Sequence, residues 1–203
     1  MLNQKVKDYL MLIGVAGTII ALDQWTKWLV RENIEFGAQW LPAGLEWLSP
    51  YARIVHWYNS GAAFGMFQNG NLVFTILAFI VIGAIIYFYP QVEADDWTLK
   101  LAMSLQLAGA SGNLIDRLMM GKVTDFISVG TFPVLNLADA SITVGVFVLL
   151  LGVWYKERQE KKKAAELLPV DSDQLLVSSD QLSVSSEQLS VTGEQSPQIN
   201  EGQ

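Results

Sequence analysis

Two carboxylates, Asp125 in "VTDFI" and Asp139 in "NLAD", stand beside sequence that is otherwise apolar. The thirteen residues between them, Phe126 to Ala138, must carry the chain back to the interface it left, which allows the two acids to meet. Burial and mutual repulsion leave such a pair holding a single proton over a wide pH range. The ionised member can then take a proton from an attacking water while the neutral member donates to a carbonyl oxygen. Peptide hydrolysis fits that equipment, with no metal and no other cofactor expected. Cysteine is absent and His56 is the only histidine. That composition excludes a disulfide, a thiolate nucleophile and a Cys-based metal site, and it gives no support to a Ser-His-Asp triad.

The neighbours of the two acids differ. Asn136, three residues before Asp139 and just ahead of an apolar run, reads as a helix N-cap with a capping box. Asp139 then falls in a first helical turn, where the positive helix end favours its charge. No equivalent helix start lies before Asp125, so Asp125 is expected to carry the shared proton.

The elements that position these groups are expected in a membrane. Of the 203 residues 51% are hydrophobic, and the mean hydropathy is positive, too apolar for an ordinary soluble domain. The net charge of −7 belongs to a tail: Ala164 to Gln203 holds seven acids and no Lys or Arg, leaving 13 basic and 13 acidic residues in 1–163. Four apolar runs, approximately 9–30, 70–90, 98–119 and 137–155, approach the roughly 20 helical residues that cross a bilayer. Lys5 and Lys7 ahead of the first run would suit a cleavable signal peptide, but Ile19 two residues before Ala21 denies that run a small-x-small cleavage site, and it reads as a helix.

Basic residues flanking these runs divide seven (Lys5, Lys7, Lys156, Arg158, Lys161, Lys162, Lys163) against three (Arg31, Arg53, Lys122). The excess places both termini in the cytoplasm. Trp25, Trp28, Trp40, Trp47, Trp57 and Tyr58 gather towards the outer interface, and "ARIVHWYN" alternates like a short strand. His56 in that strand is expected at the surface or the interface. The expected fold is an all-α membrane protein of four transmembrane helices with a small β-sheet cradle on the outer face. Residues 1–163 form the transmembrane domain, and 164–203 an acidic, low-complexity, disordered tail whose seven-residue repeat lacks coiled-coil spacing.

Polar residues inside the spans need partners, because charges at membrane depth are costly. Asp23 and Lys27, four apart, share a helix face. In the third run Gln106, Gly109, Asn113, Asp116 and Arg117 form one stripe. Helix packing accounts for part of it: Gly109 and Ser111 allow close approach, and Asp116 pairs with Arg117 or Lys122. A small polytopic proton or cation transporter is the alternative, with Asp23, Asp116, Asp125 and Asp139 strung through the membrane as a relay. A scaffold without catalysis is a third reading.

The motifs "DQWTK", "NSGAAFG", "GNLIDRLMMGKVTDFI" and "LNLADASITVG", in that order over roughly residues 9–157, resemble the lipoprotein signal peptidase family, also called signal peptidase II. The resemblance implies an intramembrane aspartic endopeptidase of the bacterial inner membrane, with its active site towards the outer leaflet. Such an enzyme cuts the signal peptide from diacylglyceryl-modified prolipoproteins just before the lipidated cysteine. It implies Asp125 and Asp139 as the catalytic pair, Asn59, Asn113, Arg117 and Asn136 as substrate-binding residues, and Asp23 and Lys27 as structural support. The partners so implied are the prolipoproteins and membrane lipids, for a monomeric enzyme; no nucleic-acid partner is expected. Two features depart from the family pattern: Leu135 stands where an aromatic is usual, and the segment between the two acids is short.

Overall fold

The structure, a computed structural model, describes residues 4–61 and 70–167. Four helices lie at the four apolar runs: α1 (Gln4–Asn33), α2 (Asn71–Phe88), α3 (Trp97–Met120) and α4 (Leu137–Leu167). Between them lie β1 (Gln39–Trp40), β2 (Ala52–Asn59) and β3 (Val123–Val129). The first compact unit is Met1–Tyr155. Of the second, Lys156–Gln203, the described part is the last turns of α4, where Lys161 pairs with Glu157 at 2.6 Å. Residues 164–167 of the tail expected to be disordered continue α4, and the rest of it, with the repeat, lies outside the described residues.

Helix α3 is the centre of the bundle. At one end Lys100 Nζ meets Asp8 at 2.9 Å, and towards the other Lys27 Nζ meets Asp116 at 3.4 Å, so α1 and α3 run in the same direction. Helix α4 runs against them: Gly109 of α3 faces Ala138 and Ile142, Gly145 faces Ala102, and Gly152 faces Thr98. Small residues permit this closeness. A β-carbon on Gly112 would lie 2.6 Å from Asp23 Oδ2 and 3.2 Å from Ala138 Cβ. The second close-approach residue of the stripe is therefore Gly112, where the sequence pointed to Ser111.

The bundle has its polar groups inside and its apolar groups outside. Asp23, Lys27, Lys100, Asn113, Asp116 and Asn136 are buried, whereas Leu72, Phe79, Ile80, Phe147, Leu151 and Val153 are exposed. Two helical segments, Asn71–Gln91 and Leu137–Ala165, are long and apolar enough to cross a membrane. Helices α1 and α3 have 30 and 24 residues and carry the buried Asp23, Lys27, Lys100 and Asp116.

The three strands form one antiparallel sheet in the order β1-β2-β3. Helix α3 stops at Gly121, whose φ of +70° suits the left-handed cap and whose N–H donates to Arg117 O. Strand β3 starts two residues later and was not anticipated; "VTDFISV" has no clean alternation because both of its faces are buried over most of its length. The register pairs Asn59 with Val123 and Trp57 with Asp125, and breaks between Ile54 and Trp57, where β2 carries an extra residue opposite Phe126. His56 sits in that bulge. It is buried, with Nδ1 2.7 Å from Ile34 O and its ring edge-on to Phe36 and Tyr58, which corrects its expected place at the surface or the interface.

Because Gly112 lets α1, α3 and α4 meet, Gly112→Ala should destabilise the protein by about 1–3 kcal/mol through overpacking against a buried carboxylate. Thermal unfolding in detergent micelles measures this, and an unchanged midpoint would show that the helices can part without loss.

Candidate active site

The segment joining the two acids folds back on itself. Phe126 and Ile127 donate their N–H groups to Leu135 O, at 3.0 and 2.7 Å, and Leu135 N–H returns a bond to Ile127 O at 3.0 Å. This bridge puts Asn136 beside β3 and starts α4 there, so the expected loop is a strand, a turn and a one-residue bridge. Asn136 then caps α4. Its Oδ1 accepts Asp139 N–H at 2.9 Å, and Asp139 Oδ2 accepts Asn136 N–H at 3.3 Å, the reciprocal pair of a capping box.

The same asparagine links the two acids. Asn136 Nδ2 donates to Asp125 Oδ1 at 2.7 Å and to Asn113 Oδ1 at 3.0 Å, while Asn113 Nδ2 donates to Asp139 Oδ1 at 2.7 Å. Asn59 Nδ2 donates to Asp125 Oδ2 at 3.1 Å. The register explains that reach: Asn59 opposes Val123, so Asp125, two residues on, is its diagonal neighbour on the same face. Asn59 Oδ1 also takes Gly61 N–H at 2.9 Å, fixing the side chain at the end of β2.

Asp125 is 1% exposed and lies on β3, outside the four helices. Burial pushes its carboxyl up to about 7, helped by the charge of Asp139 and opposed by the Asn59 and Asn136 bonds and by Lys27. Both acids face one cavity of about 470 Å³, lined also by Asn59, Gly61, Phe74, Asn113, Arg117, Pro133, Leu135 and Thr143. The guanidinium of Arg117 lies 5.5 Å from the Phe74 ring centre and, among the described residues, makes no ion pair. A second cavity of about 360 Å³ shares Phe74, Asn113, Arg117, Asp139 and Ile142, and continues past Leu77, Ala78, Val81, Gln106 and Ala110.

Asp23 and Lys27 lie behind Asn113, both fully buried and 2.8 Å apart. Lys27 Nζ also donates to Asn113 Oδ1 at 3.1 Å. Asp116 pairs with Lys27 and, at 3.8 Å, with Arg31. The expected pairing with Arg117 or Lys122 is thus corrected: successive helical residues point apart, and Lys122 Nζ sits 3.5 Å over the Tyr58 ring. Seven of the eight site residues named from the sequence are joined in one chain of hydrogen bonds and an ion pair, and the eighth, Arg117, lines the same cavity. Asp116, Gln24 and Phe74 were missed as part of the same neighbourhood. A signal for Asp116 was available, since it follows Asn113 at helical spacing. Ala62 and Ala63 of "NSGAAFG" lie outside the described residues.

Such an arrangement gives two carboxylates facing one cavity, amide donors that orient them, and a cation at the cavity wall. The four acids form one cluster and are not strung along the bundle as a relay requires.

Comparison with known proteins agrees with this chemistry. Residues 15–155 match the family model for signal peptidase (SPase) II. A lipoprotein signal peptidase of Shouchella clausii is 42% identical over 149 residues, covering 73% of this chain and 95% of that one. One from Listeria monocytogenes is 36% identical over 159 residues, 75% of this chain and 97% of that one. A bacterial membrane enzyme solved by the in meso method at 2.3 Å resolution superposes with a TM-score of 0.65 and 29% identity, over 72% of this chain and 88% of that one. The chain belongs to the signal peptidase II family, and it is a protease of that type.

Proposed function

We propose that Asp125 and Asp139 carry out the signal-peptide removal from prolipoproteins that this family membership assigns to the chain. The observation that carries the proposal is the Asn136 side chain, bonded to Asp125 and Asn113 while its capping box holds Asp139. Asp139, bonded by Asn113 in the first turn of α4, is the ionised member. Asp125, with its proton favoured by burial, is the neutral one.

A water held between them gives a proton to Asp139 as its oxygen attacks the scissile carbonyl, and Asp125 gives its proton to the carbonyl oxygen. When the intermediate collapses, Asp139 passes the proton to the leaving nitrogen and Asp125 recovers one from the hydroxyl. Arg117 offers its cation to a substrate carbonyl or lipid head-group oxygen. The second cavity, apolar along Leu77, Ala78 and Val81, suits an acyl chain of the diacylglyceryl group. Anchoring the lipid there holds the peptide near the acids and raises its effective concentration.

All four helices cross the bilayer in this reading, α1 and α3 turning their charges inward. The basic excess puts both termini in the cytoplasm and the sheet on the outer side, where exposed Trp25, Trp28, Trp40, Trp47 and Trp57 suit an aromatic belt. The enzyme acts as a monomer in the bacterial inner membrane. Its catalytic domain is residues 1–163, and 164–203 is a tail not needed for cleavage.

At equal expression, Asp125→Asn and Asp139→Asn should each abolish cleavage of a diacylglyceryl-modified precursor in vitro. Cleavage by either variant near the wild-type rate would remove the mechanism.

The proton on Asp125 can be followed by stability. Its folded-state value lies above the ordinary 3.8, so protonation adds stability that is fully present in acid and lost as the pH rises through about 7. The unfolding midpoint of wild type should therefore fall relative to that of Asp125→Asn as pH rises from about 4 to about 7. A constant difference would show that Asp125 titrates normally.

A further inference from the structure

Below the two catalytic acids lie two carboxylates that the chemistry does not use. Asp23 and Asp116 are 0% and 1% exposed, and the ammonium of Lys27 meets both, at 2.8 and 3.4 Å. The Gln24 amide also donates to both. Each carboxylate also accepts one backbone N–H. Asp116 Oδ2 accepts from Thr124 at 2.9 Å, and Asp23 Oδ1 accepts from Ala138 at 2.9 Å.

Those two amides are not arbitrary. Thr124 immediately precedes Asp125, and Ala138 immediately precedes Asp139. Lys27 is thus linked to the backbone beside each catalytic acid through one intervening carboxylate. It is linked to the acids' side chains as well. By donating to Asn113 Oδ1 it turns that amide's NH2 towards Asp139.

Burying such a cluster does little for net stability, since the desolvation of the ions offsets their attraction. What it does supply is geometry. Backbone N–H groups are held at fixed points on α1 and α3, two rigid helices that run side by side. Remove the ammonium, and Asp23 and Asp116 are two buried anions close together with a cation, Arg31, against only one of them. They would then repel or take up protons, and both backbone anchors would loosen together.

We propose that Lys27, through Asp23 and Asp116, is a positioning device that sets the spacing of Asp125 and Asp139. This rests on the reading of those two acids as the catalytic pair. Asp116 and Lys27 touch no substrate in this arrangement; they act through the backbone and through Asn113.

The test reads single backbone amides by hydrogen exchange in the full-length protein in lipid nanodiscs. Asp116→Ala should free the Thr124 amide and leave Ala138 protected. Asp23→Ala should do the reverse. Lys27→Met should free both, and Lys27→Arg, which keeps the cation, should restore protection. With a diacylglyceryl-modified precursor, Lys27→Met should lower kcat by about 100-fold, the scale of a misplacement near 1 Å. KM should change less than kcat, because Lys27 itself lines neither cavity, and Lys27→Arg should recover most of the loss.

Wild-type protection of both amides in Lys27→Met, or equal loosening of both in each carboxylate variant, would overturn the proposal. So would an unchanged kcat. Should Lys27→Met not fold, the two carboxylate variants decide the matter, each having to loosen its own amide alone. Exchange is read without turnover, so failure here leaves the catalytic assignment standing. Retained cleavage by Asp125→Asn would remove that assignment without altering the exchange pattern.

Discussion

A carboxylate taken out of water keeps its place in a fold only where donors replace the solvent. Four of them, Asp23, Asp116, Asp125 and Asp139, lie in one network here, and the kind of donor each receives separates their roles. Asp23 and Asp116 share an ammonium and give their remaining capacity to backbone N–H groups. Asp125 and Asp139 receive amides from Asn59, Asn113 and Asn136. Amides orient a carboxylate without neutralising it. The upper pair, which we propose is catalytic, is thus oriented by neutral donors, while the lower pair is held by an ammonium.

The need to satisfy these groups also accounts for the architecture around them. Glycines at 109 and 112 let α3 approach the start of α4 and the Asp23 carboxylate. The bulge in β2 and the Leu135 bridge bring β3 against the N-terminus of α4. A helix start, a strand and a helix interior thus deliver Asp139, Asp125 and Asn113 to one cavity. The apolar side chains that an aqueous protein would bury here point outward from α2 and α4, which suits a hydrocarbon surround.

Much of this was legible in the residues. The four helices follow from long apolar runs, and the Asn136 to Asp139 capping box from spacing alone, because both are local. The pairing of Asp23 with Lys27 is legible for the same reason. Strand β3 was not, since period-two alternation needs one wet face and Val123 to Phe126 are buried on both. The partner of Asp116 was not, because Lys27 lies 89 residues away, and the near neighbours Arg117 and Lys122 point elsewhere. His56 looked superficial because a bulge, which no local pattern announces, turns it inward. That the segment between the acids is a hairpin-like return depends on Leu135 bonding Ile127 across eight residues, a contact that no residue pattern in the segment announces.

The central claim is that a single water is held by both Asp125 and Asp139 when substrate is present. The most direct measurement is the crystal structure of a complex with a non-cleavable diacylglyceryl peptide. One oxygen should lie within about 3 Å of a carboxylate oxygen of each acid, facing the scissile carbonyl, as proton transfer requires. Carboxylates splayed too far apart to share a water, or a scissile carbonyl held away from the pair, would contradict the account.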